Sequence, residues 1–415
     1  MTEPEQLKRS IGFPLLTLYG LGTILGAGIY VLIGKVAALS GMFAPLSFMF
    51  AAVLAGFSGY CYAALSSRYP KSAGEAAYIE AAFGIKQLSR LVGWMVILTG
   101  VVSAATIANG FVGYLNQFII VPEFLAITIM LGLMCGIACW GVNQSVMLAA
   151  MVTGLELGGL LLVLVLSGSS LADLPSRFHE LVPPISDGAI WFSILLGAFL
   201  AFYAFIGFED MVNMAEEVKN PEKTIPKAIL AALFISSILY MLIALTAMMK
   251  MPLLELQQST APMTDILKKE SELAGIAISL ISLVAVVNGA LVQIIMGSRV
   301  LYGMSKQGLA PATFAKVHKY FKTPVMATLI ISLVVWVFAV SLPLTTLAMI
   351  TSFIIIVVFL LVNISLIQVL RKENHVPKKA ISIQLWVPYV ASALCLFFLG
   401  IQFLQVITGG QITGH

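Results

Sequence analysis

Two glycine-rich apolar segments carry the residues whose types and spacing point most directly to chemistry. The first runs GTILGAGIYVLIG from Gly22 to Gly34, and the second runs FYAFIGFED from Phe202 to Asp210. Glycine inside a helix costs about 1 kcal/mol per residue relative to alanine, so both segments favour a local break in a helix. A break frees backbone N–H and C=O groups, which at membrane depth must be buried in protein or line a cavity. The pair predicts a binding site built from the backbone of two discontinuous helices.

The elements that must position these segments are membrane spans. The 415 residues are 60% hydrophobic and 10% charged, with a mean hydropathy of +1.01, whereas soluble domains carry roughly 25% charged residues. Apolar stretches near the roughly 20 residues that cross a bilayer predict an all-α polytopic membrane protein with eleven spans. The expected spans are at about 12–34, 43–66, 91–116, 123–141, 146–168, 190–216, 227–249, 273–303, 324–341, 345–370 and 384–407.

The distribution of positive charge predicts the orientation. With the N-terminus in the cytoplasm, 18 of the 23 Lys and Arg residues fall on the cytoplasmic side, in agreement with the positive-inside rule. Anionic lipids of that leaflet attract these cations, so the net charge of +4 calls for no nucleic-acid partner. The polar start MTEPEQ lacks the pattern of a cleaved signal peptide. We therefore expect a multi-pass protein of the cell (inner) membrane.

Cysteine and histidine usage predicts no cofactor chemistry. The four cysteines all fall in predicted spans, where neither a disulfide framework nor a zinc spacing is available. The four histidines fall in predicted loops or in the tail, so no buried histidine relay is expected. No nucleophile with a base is found at membrane depth. We expect no metal, no cofactor and no enzymatic activity.

The spacing of the two breaks predicts an internal repeat. Spans 1 and 6 share the glycine pattern five spans apart, and an odd offset reverses the topology. Within a single transmembrane domain of residues 1–415, we expect a first repeat at 1–168, an inverted second repeat at 190–370 and an additional span at 384–407. Paired broken helices are typical of secondary transporters. A channel is the weaker alternative, because it would show rings of charged or carbonyl groups.

Three motifs resemble the amino acid-polyamine-organocation superfamily of transporters. They are GTILGAGIY in span 1, FYAFIGFEDMVNMAEEVKNPEKTIPKAI (Phe202–Ile229), and NGALVQIIMGSRVLYGMSKQGLAP (Asn288–Pro311) with the following TPVMAT. The resemblance implies the leucine-transporter-type fold of five plus five inverted spans. It also implies transport of amino acids or related amines, coupled to protons or to exchange against a counter-substrate. Many members have twelve spans, one more than is expected here.

The two breaks offer partners for both charges of an amino acid. A carboxylate needs hydrogen-bond donors, which the opening turn of the second half of span 1 supplies together with a favourable helix dipole. An ammonium needs acceptors, which freed carbonyls of span 6 supply. The alternative is that the span 1 glycines are only close-packing positions between helices. The candidate donors are the N–H groups of Gly26, Ala27 and Gly28, and the candidate acceptors are the carbonyls of Phe205, Ile206 and Gly207.

The superfamily's substrate-contacting positions imply further site residues in this chain. Tyr203 corresponds to an aromatic gate over the substrate, with an interior packing aromatic as the alternative. The span 3 positions are small and uncharged, so no fixed anion waits for a cationic side chain. This favours neutral amino acids over the rival, a polyamine or organic-cation exchanger. The implied positions are Ile24, Thr99, Gly100, Ala104, Tyr203, Ile206 and Gln293.

Ionisable residues at membrane depth are candidates for ion coupling. Many proton-coupled members of the superfamily carry a lysine at the place of Glu156 in span 5. A carboxylate cannot replace a cation, but it can hold a proton or help ligate a cation. The alternative is a structural pairing with an amide such as Asn288. Glu209 follows the second break and either caps freed N–H groups or titrates during transport.

Charged residues at the predicted cytoplasmic end suggest an inner gate. We expect Asp210, Glu216 and Glu217 to form a solvated cluster that closes the gate through salt bridges to Arg68 and Lys71. Each exposed pair contributes only about 0–1 kcal/mol, which suits a contact that must reopen.

Overall fold

Long apolar helices make up most of the described chain. The computed structural model describes residues 9–71, 74–140, 146–215, 217–306, 308–318, 320, 323–373, 377 and 380–408, without the side chains of residues 27 and 146–149. In chain order the helices are α1 (Phe13–Ser40), α2 (Ala44–Arg68), α3 (Gly74–Phe83), α4 (Lys86–Leu115), α5 (Glu123–Trp140), α6 (Val146–Ser167), α7 (Leu174–Arg177), α8 (Gly188–Ala201), α9 (Pro221–Lys250), α10 (Leu253–Gln258), α11 (Pro262–Lys268), α12 (Glu272–Lys306), α13 (Val325–Ser341), α14 (Leu344–Lys372) and α15 (Trp386–Thr408).

The membrane spans follow the sequence-based expectation. Among the described residues, nine segments are long and apolar enough to cross a membrane. The first of them, Phe13–Arg68, contains both α1 and α2, and α13 is apolar but shorter, with 17 residues. Each of the eleven expected spans coincides with a helix or, for the sixth, with α8 and the 3-10 segments that follow it. The protein is therefore an all-α polytopic membrane protein; the inverted repeat stays a prediction.

Both glycine-rich segments do interrupt their helices. In α1 only Gly26 leaves the helical conformation, with φ −3° and ψ −131°. In the sixth span α8 gives way to a 3-10 segment at Phe202–Phe205, an extended Ile206 and a second 3-10 segment at Phe208–Met214. Gly207 between them has φ +125°, a region that favours glycine. Breaks were thus predicted at the right places in both spans.

Central helices hold the two breaks against each other. Helix α1 packs against α6, α8, α9 and α12, and α4 packs against α12 and α14. Glycines allow close approach at these crossings. A Cβ at Gly110 of α4 would lie 2.7 Å from Val31 of α1, and one at Gly59 of α2 would lie 2.2 Å from Leu233 of α9.

The connection between α9 and α12 covers one end of the bundle. A Cβ at Gly34 of α1 would lie 2.4 Å from the Leu256 carbonyl oxygen, so α10 rests directly on α1. Two ion pairs hold this connection, Lys250 with Glu270 at 2.5 Å and Lys269 with Glu255 at 2.6 Å. These contacts fix the connection against the end of α1.

The opposite end corrects the expected salt-bridge gate. Arg68 pairs with Glu373 at 3.1 Å and not with the acidic residues that follow the second break. The chain between α14 and α15 crosses the end of α2, and Arg68 also donates to the Ile381 carbonyl. Asp210 is buried, with 6% of its surface exposed, so the expected solvated cluster is wrong at that residue. Glu216 lies outside the described residues.

Candidate functional site

A cavity lies between the two breaks. Its wall is formed by α1, α4, α6, α12 and the first 3-10 segment of the sixth span, together with Ile206. Backbone of the first break and uncharged side chains make up its surface. The lining residues are Tyr19, Gly22, Thr23, Ile24, Gly26, Gly28, Ser103, Ile107, Thr153, Tyr203, Ile206, Asn288, Gly289, Val292 and Gln293.

The structure brings about half of the predicted site residues to this cavity. The lining ones are Ile24, Gly26, Gly28, Tyr203, Ile206, Asn288 and Gln293. The described lining does not include Thr99, Gly100, Ala104, Phe205, Gly207, Glu156 or Glu209. The side chain of Ala27 lies outside the described part of the chain.

Three predicted residues of α4 lie behind the wall. A Cβ at Gly100 would lie 3.2 Å from Oε1 of Gln293, so this glycine lets α12 approach closely. Thr99 is buried and its hydroxyl donates to the Met95 carbonyl at 2.9 Å, and Ala104 is fully buried. These positions therefore pack behind the wall of the cavity.

The first break separates two kinds of glycine. A Cβ at Gly28 would lie 2.6 Å from Cα of Ala204, so Gly28 is a close-packing position against the sixth span. A Cβ at Gly26 would meet nothing within 4 Å. Gly26 therefore exposes backbone to the cavity, while Gly28 lines the cavity and also allows the sixth span to approach closely.

The second break has partners on both sides of Gly207. The Gly207 N–H donates to Oε2 of Glu209 at 2.8 Å, and the Gly207 carbonyl accepts from the Thr23 hydroxyl at 2.9 Å. A Cβ at Gly207 would lie 2.5 Å from the Thr23 carbonyl oxygen, so the two breaks are in direct backbone contact. Glu209 acts here as a cap, one of its two predicted roles.

Tyr240 of α9 joins the breaks, and sequence analysis missed it. Its hydroxyl lies 2.8 Å from the Ile24 carbonyl oxygen and 2.9 Å from the Ala204 carbonyl oxygen. Phe205 packs edge-on against the Tyr240 ring, with ring centroids 5.1 Å apart. A hydroxyl donates one hydrogen at a time, so it serves one carbonyl and lies beside the other. A tyrosine within an apolar span needs such a partner, which was the available signal.

Glu156 lies one helical turn from the wall of the cavity. Thr153, three residues earlier on α6, lines the cavity, whereas Glu156 is completely buried. Neither carboxylate oxygen makes a regular hydrogen bond, although the side chain interacts with Asn288, itself a lining residue. The Tyr30 hydroxyl donates to the backbone carbonyl of Glu156 at 2.6 Å. Asn288 thus connects the buried carboxyl to the cavity, in the arrangement that the sequence suggested as a structural alternative.

Tyr203 of the sixth span is hydrogen-bonded to α4 at the wall of the cavity. Its hydroxyl lies 3.0 Å from Oγ of Ser103 and donates to the Ser103 carbonyl at 3.2 Å. The side chain is buried but still faces the cavity. Ser103 was not predicted, because nothing in its local sequence distinguishes it from other small residues of span 3.

The wall is polar without being charged. None of the described residues that line the cavity has a charged side chain. Hydroxyls of Ser103 and Tyr203, amides of Asn288 and Gln293, and backbone at Gly26 supply donors and acceptors, while Ile107 and Val292 add apolar surface. Such a mixture can bind a small molecule through hydrogen bonds to one part and apolar contact with another.

Comparison with known proteins gives one consistent result. A model of the amino acid permease family matches residues 11–415. The methylthioribose transporter of Bacillus subtilis is 28% identical over 96% of this chain and 89% of its own length. The branched-chain amino acid permease of the same bacterium is 28% identical, over 95% and 88%. The vacuolar cationic amino acid transporter 2 of Arabidopsis thaliana is 30% identical over 78% of this chain, which spans only 54% of that relative's length.

Proposed function

The chain belongs to the amino acid permease family, and on that premise we propose that it carries neutral amino acids across the membrane by alternating access. In this proposal the protein sits in the cell (inner) membrane with the N-terminus in the cytoplasm. Residues 1–168 and 190–370 act as inverted repeats that rock around the cavity, and the span at 384–407 lies outside them.

The observation that carries the proposal is the uncharged cavity between two broken spans. Gly26 has open space around it, so the backbone there is accessible to a carboxylate. Opposite it, Tyr203 and Ile206 line the cavity from the broken part of the sixth span, and the Ile206 carbonyl is the candidate acceptor for an ammonium. A zwitterion satisfies both sets of backbone groups without needing a charged side chain from the protein.

The side-chain end of the cavity favours a neutral substrate. Ile107, Val292 and the amide of Gln293 offer apolar contact and hydrogen bonds. A guanidinium or ammonium on the substrate would lose its hydration there without gaining a carboxylate from the described lining residues. The names of the relatives support both neutral and cationic substrates, since one is a branched-chain amino acid permease and another is a cationic amino acid transporter. Cationic amino acids and polyamines are therefore the competitors in the test.

Glu156 is the proposed coupling group. Burying a carboxylate without an opposite charge costs much free energy, so the neutral form of this side chain is the one that the closed cavity favours. Opening the cavity to water would let this group release its proton, and Asn288 lies in position to relay the change to a bound substrate. Proton-coupled uptake follows from this cycle, with exchange against a counter-substrate as the simpler mode. Glu209, which caps the second break, is the second candidate for coupling.

Uptake into proteoliposomes tests the substrate class. Radiolabelled leucine, arginine and putrescine should be compared with and without an inward proton gradient. We expect saturable leucine uptake that the gradient increases, and Tyr203→Ala should reduce it far more than Phe397→Ala, a change at an exposed aromatic of α15. Transport of arginine or putrescine in preference to leucine would overturn the neutral assignment, and equal effects of the two substitutions would reduce Tyr203 to a packing residue.

A conservative substitution tests the coupling. Glu156→Gln keeps the shape of the side chain but removes its proton, so gradient-driven accumulation should vanish while exchange continues. Leu155→Ala, at the neighbouring exposed position of α6, is the matched control and should retain accumulation. A Glu156→Gln protein that still accumulates substrate with the native pH profile would transfer the coupling role to Glu209.

A further inference from the structure

Helix α3 packs its first turn against the second 3-10 segment of the broken sixth span. Gly74 opens α3 with φ +43°, and a Cβ there would lie 2.7 Å from Oδ1 of Asn213. The helix lies between the spans α2 and α4 and is held by α4 and α14. It is placed to cover the break from the end of the bundle that carries the N-terminus, which is the cytoplasmic end in the proposed orientation.

Three buried carboxyl groups meet beneath this helix. Glu75 of α3 is 4% exposed and accepts a hydrogen bond from the Tyr62 hydroxyl at 3.3 Å. Asp210 is 6% exposed, and its Oδ2 atom has no hydrogen-bond partner. Glu75, Glu209 and Asp210 interact electrostatically with one another. Repulsion among buried carboxylates favours the protonated form of at least one of them.

Among the described residues, no lysine or arginine forms an ion pair with this cluster. Arg68 of α2 pairs with Glu373, and Lys372 of α14 donates to the Ala82 carbonyl at the far end of α3. Arg299 of α12 interacts with Tyr19. The following lysines and arginines near this end are exposed to solvent: Lys71 before α3, Lys86 and Arg90 of α4, Lys219 before α9, Lys223 and Lys227 of α9, and Arg371 of α14.

The cluster adjoins the candidate site. Tyr19 of α1 lines the cavity and interacts electrostatically with Asp210. The cavity and the carboxyl groups are therefore neighbours across Tyr19. A movement of α3 away from the second 3-10 segment would open a path toward the cavity from this end.

We propose that Glu75 and Asp210 bind one proton between them, and that this second proton site latches α3 over the broken span. The inference rests on the proposed function for its orientation and for the role of the opening. With the proton bound, the pair carries one negative charge instead of two, and the contact stays closed. With the proton lost, two anions face each other in a buried place, and α3 is driven outward until Glu75 reaches water.

The direction of the pH response follows from Glu75, which lies outside the spans. Burial raises the pKa of Glu75 from 4.5 to about 7 in the closed contact. A solvated Glu75 in the open contact would titrate near its ordinary value. The closed contact is therefore fully favoured below about pH 4.5 and loses that advantage as the pH rises toward 7. Alkaline conditions on this side open the latch.

Accessibility of a reporter cysteine tests the latch without any substrate. Asn213→Cys places a thiol where Gly74 now covers it. A maleimide reacts with the thiolate, whose fraction rises with pH, so each labelling rate is divided by the rate of Glu80→Cys, at an exposed position of α3, measured at the same pH. With a membrane-impermeant maleimide this ratio should be several-fold higher at pH 8 than at pH 5.5. Glu75→Gln stays neutral and should hold the low ratio of acid conditions throughout. Glu80→Gln, at an exposed position of the same helix, should behave like the parent.

A second, milder substitution keeps the latch testable if Glu75→Gln fails to fold. Tyr62→Phe removes the hydrogen bond that favours the ionised Glu75 carboxylate, so the midpoint of the labelling profile should move to higher pH. A normalised rate that is independent of pH in Asn213→Cys, or a profile unchanged in both Glu75→Gln and Tyr62→Phe, overturns the latch. A rate that follows sodium concentration at constant pH also overturns it, in favour of a cation site. The labelling profile is independent of transport, so a failed uptake assay would reject the proposed function and leave this result standing.

Discussion

The two glycine-rich segments have similar sequences but break in different ways. In α1 the helix continues on both sides of Gly26, whereas the sixth span loses its α-helix from Phe202 onward. Most glycines of the first segment are occupied with packing. A Cβ at Gly22 would lie 2.0 Å from Oγ1 of Thr153, and one at Gly34 would lie 2.4 Å from the Leu256 carbonyl oxygen.

Glycine density therefore predicts where a helix is interrupted or closely packed, but not how many residues lose the helical conformation. That number depends on the hydrogen-bond partners available to the freed backbone groups. Around Gly207 there are three such groups, the Glu209 carboxylate, the Thr23 hydroxyl and, one turn earlier, the Tyr240 hydroxyl. Gly26 has no side chain packed against it. The first break therefore leaves open space beside its backbone, whereas protein groups satisfy most of the second.

The largest expected effect comes from filling the second break. Gly207→Val places a branched side chain at φ +125° and within 2.5 Å of the Thr23 carbonyl oxygen. Left-handed strain and overpacking together should cost roughly 2–5 kcal/mol, a large share of a total stability of about 5–15 kcal/mol. We expect a strong fall in the yield of monodisperse protein and in its Tm.

The matched change in the first break sharpens the contrast. Gly26→Ala has open space for its methyl group, so the yield and the Tm should stay close to those of the parent. Substrate affinity should fall, because the methyl group occupies the cavity. Equal losses of stability in Gly207→Val and Gly26→Ala would show that the two breaks are equivalent after all.

Removal of the shared hydroxyl should have the next largest effect. Tyr240→Phe keeps the ring packing but leaves the Ile24 and Ala204 carbonyls without their donor. A buried group left unsatisfied costs about 1–3 kcal/mol. Thermal unfolding should show this loss, and Tyr60→Phe, whose hydroxyl bond at 3.3 Å is exposed, should show almost none.

Loss of the direct bond between the breaks should be milder. Thr23→Val keeps the side-chain volume but removes the hydroxyl, which lies 2.9 Å from both the Gly207 and the Gly20 carbonyl oxygens. Such bonds within membranes contribute about 0.6 kcal/mol on average and about 1.7 kcal/mol at most. We expect a small fall in Tm together with faster exchange transport, since the sixth span gains freedom to move. Slower exchange with a lower Tm would mean that the contact serves the folded shape only.

The smallest expected effect is at Ser103, where α4 forms part of the cavity wall. Ser103→Ala removes one partner of the Tyr203 hydroxyl, but the Ser103 carbonyl remains within reach at 3.2 Å. We expect a stability change below about 0.5 kcal/mol, because a neutral hydrogen bond contributes about 0.5–1.5 kcal/mol and half of this pairing survives. The KM for substrate should shift by no more than a few-fold, and a complete loss of transport would contradict this assignment.

The sequence predicted the spans and the places of both breaks because hydropathy and glycine spacing are local signals. It did not predict Tyr240, Ser103 or Thr153, since their roles depend on contacts between distant parts of the chain. The expected gate at Arg68 was wrong for the same reason. Several acidic residues were compatible partners for Arg68 by charge alone. The pairing with Glu373 depends on the path of the chain beyond α14, which the sequence does not show.

The backbone pairing that precedes α1 has a consequence for biosynthesis. The N–H groups of Ser10 and Ile11 donate to the Glu217 carbonyl, and the Lys219 N–H donates to the Ile11 carbonyl. At a synthesis rate of about 5–20 residues per second, these partners emerge roughly 10–40 s after the first span. Until then the first span has neither Gly207 nor Tyr240 beside it, and lipid favours an uninterrupted helix. The kink at Gly26 is thus expected to form late, when the second half of the nascent chain docks.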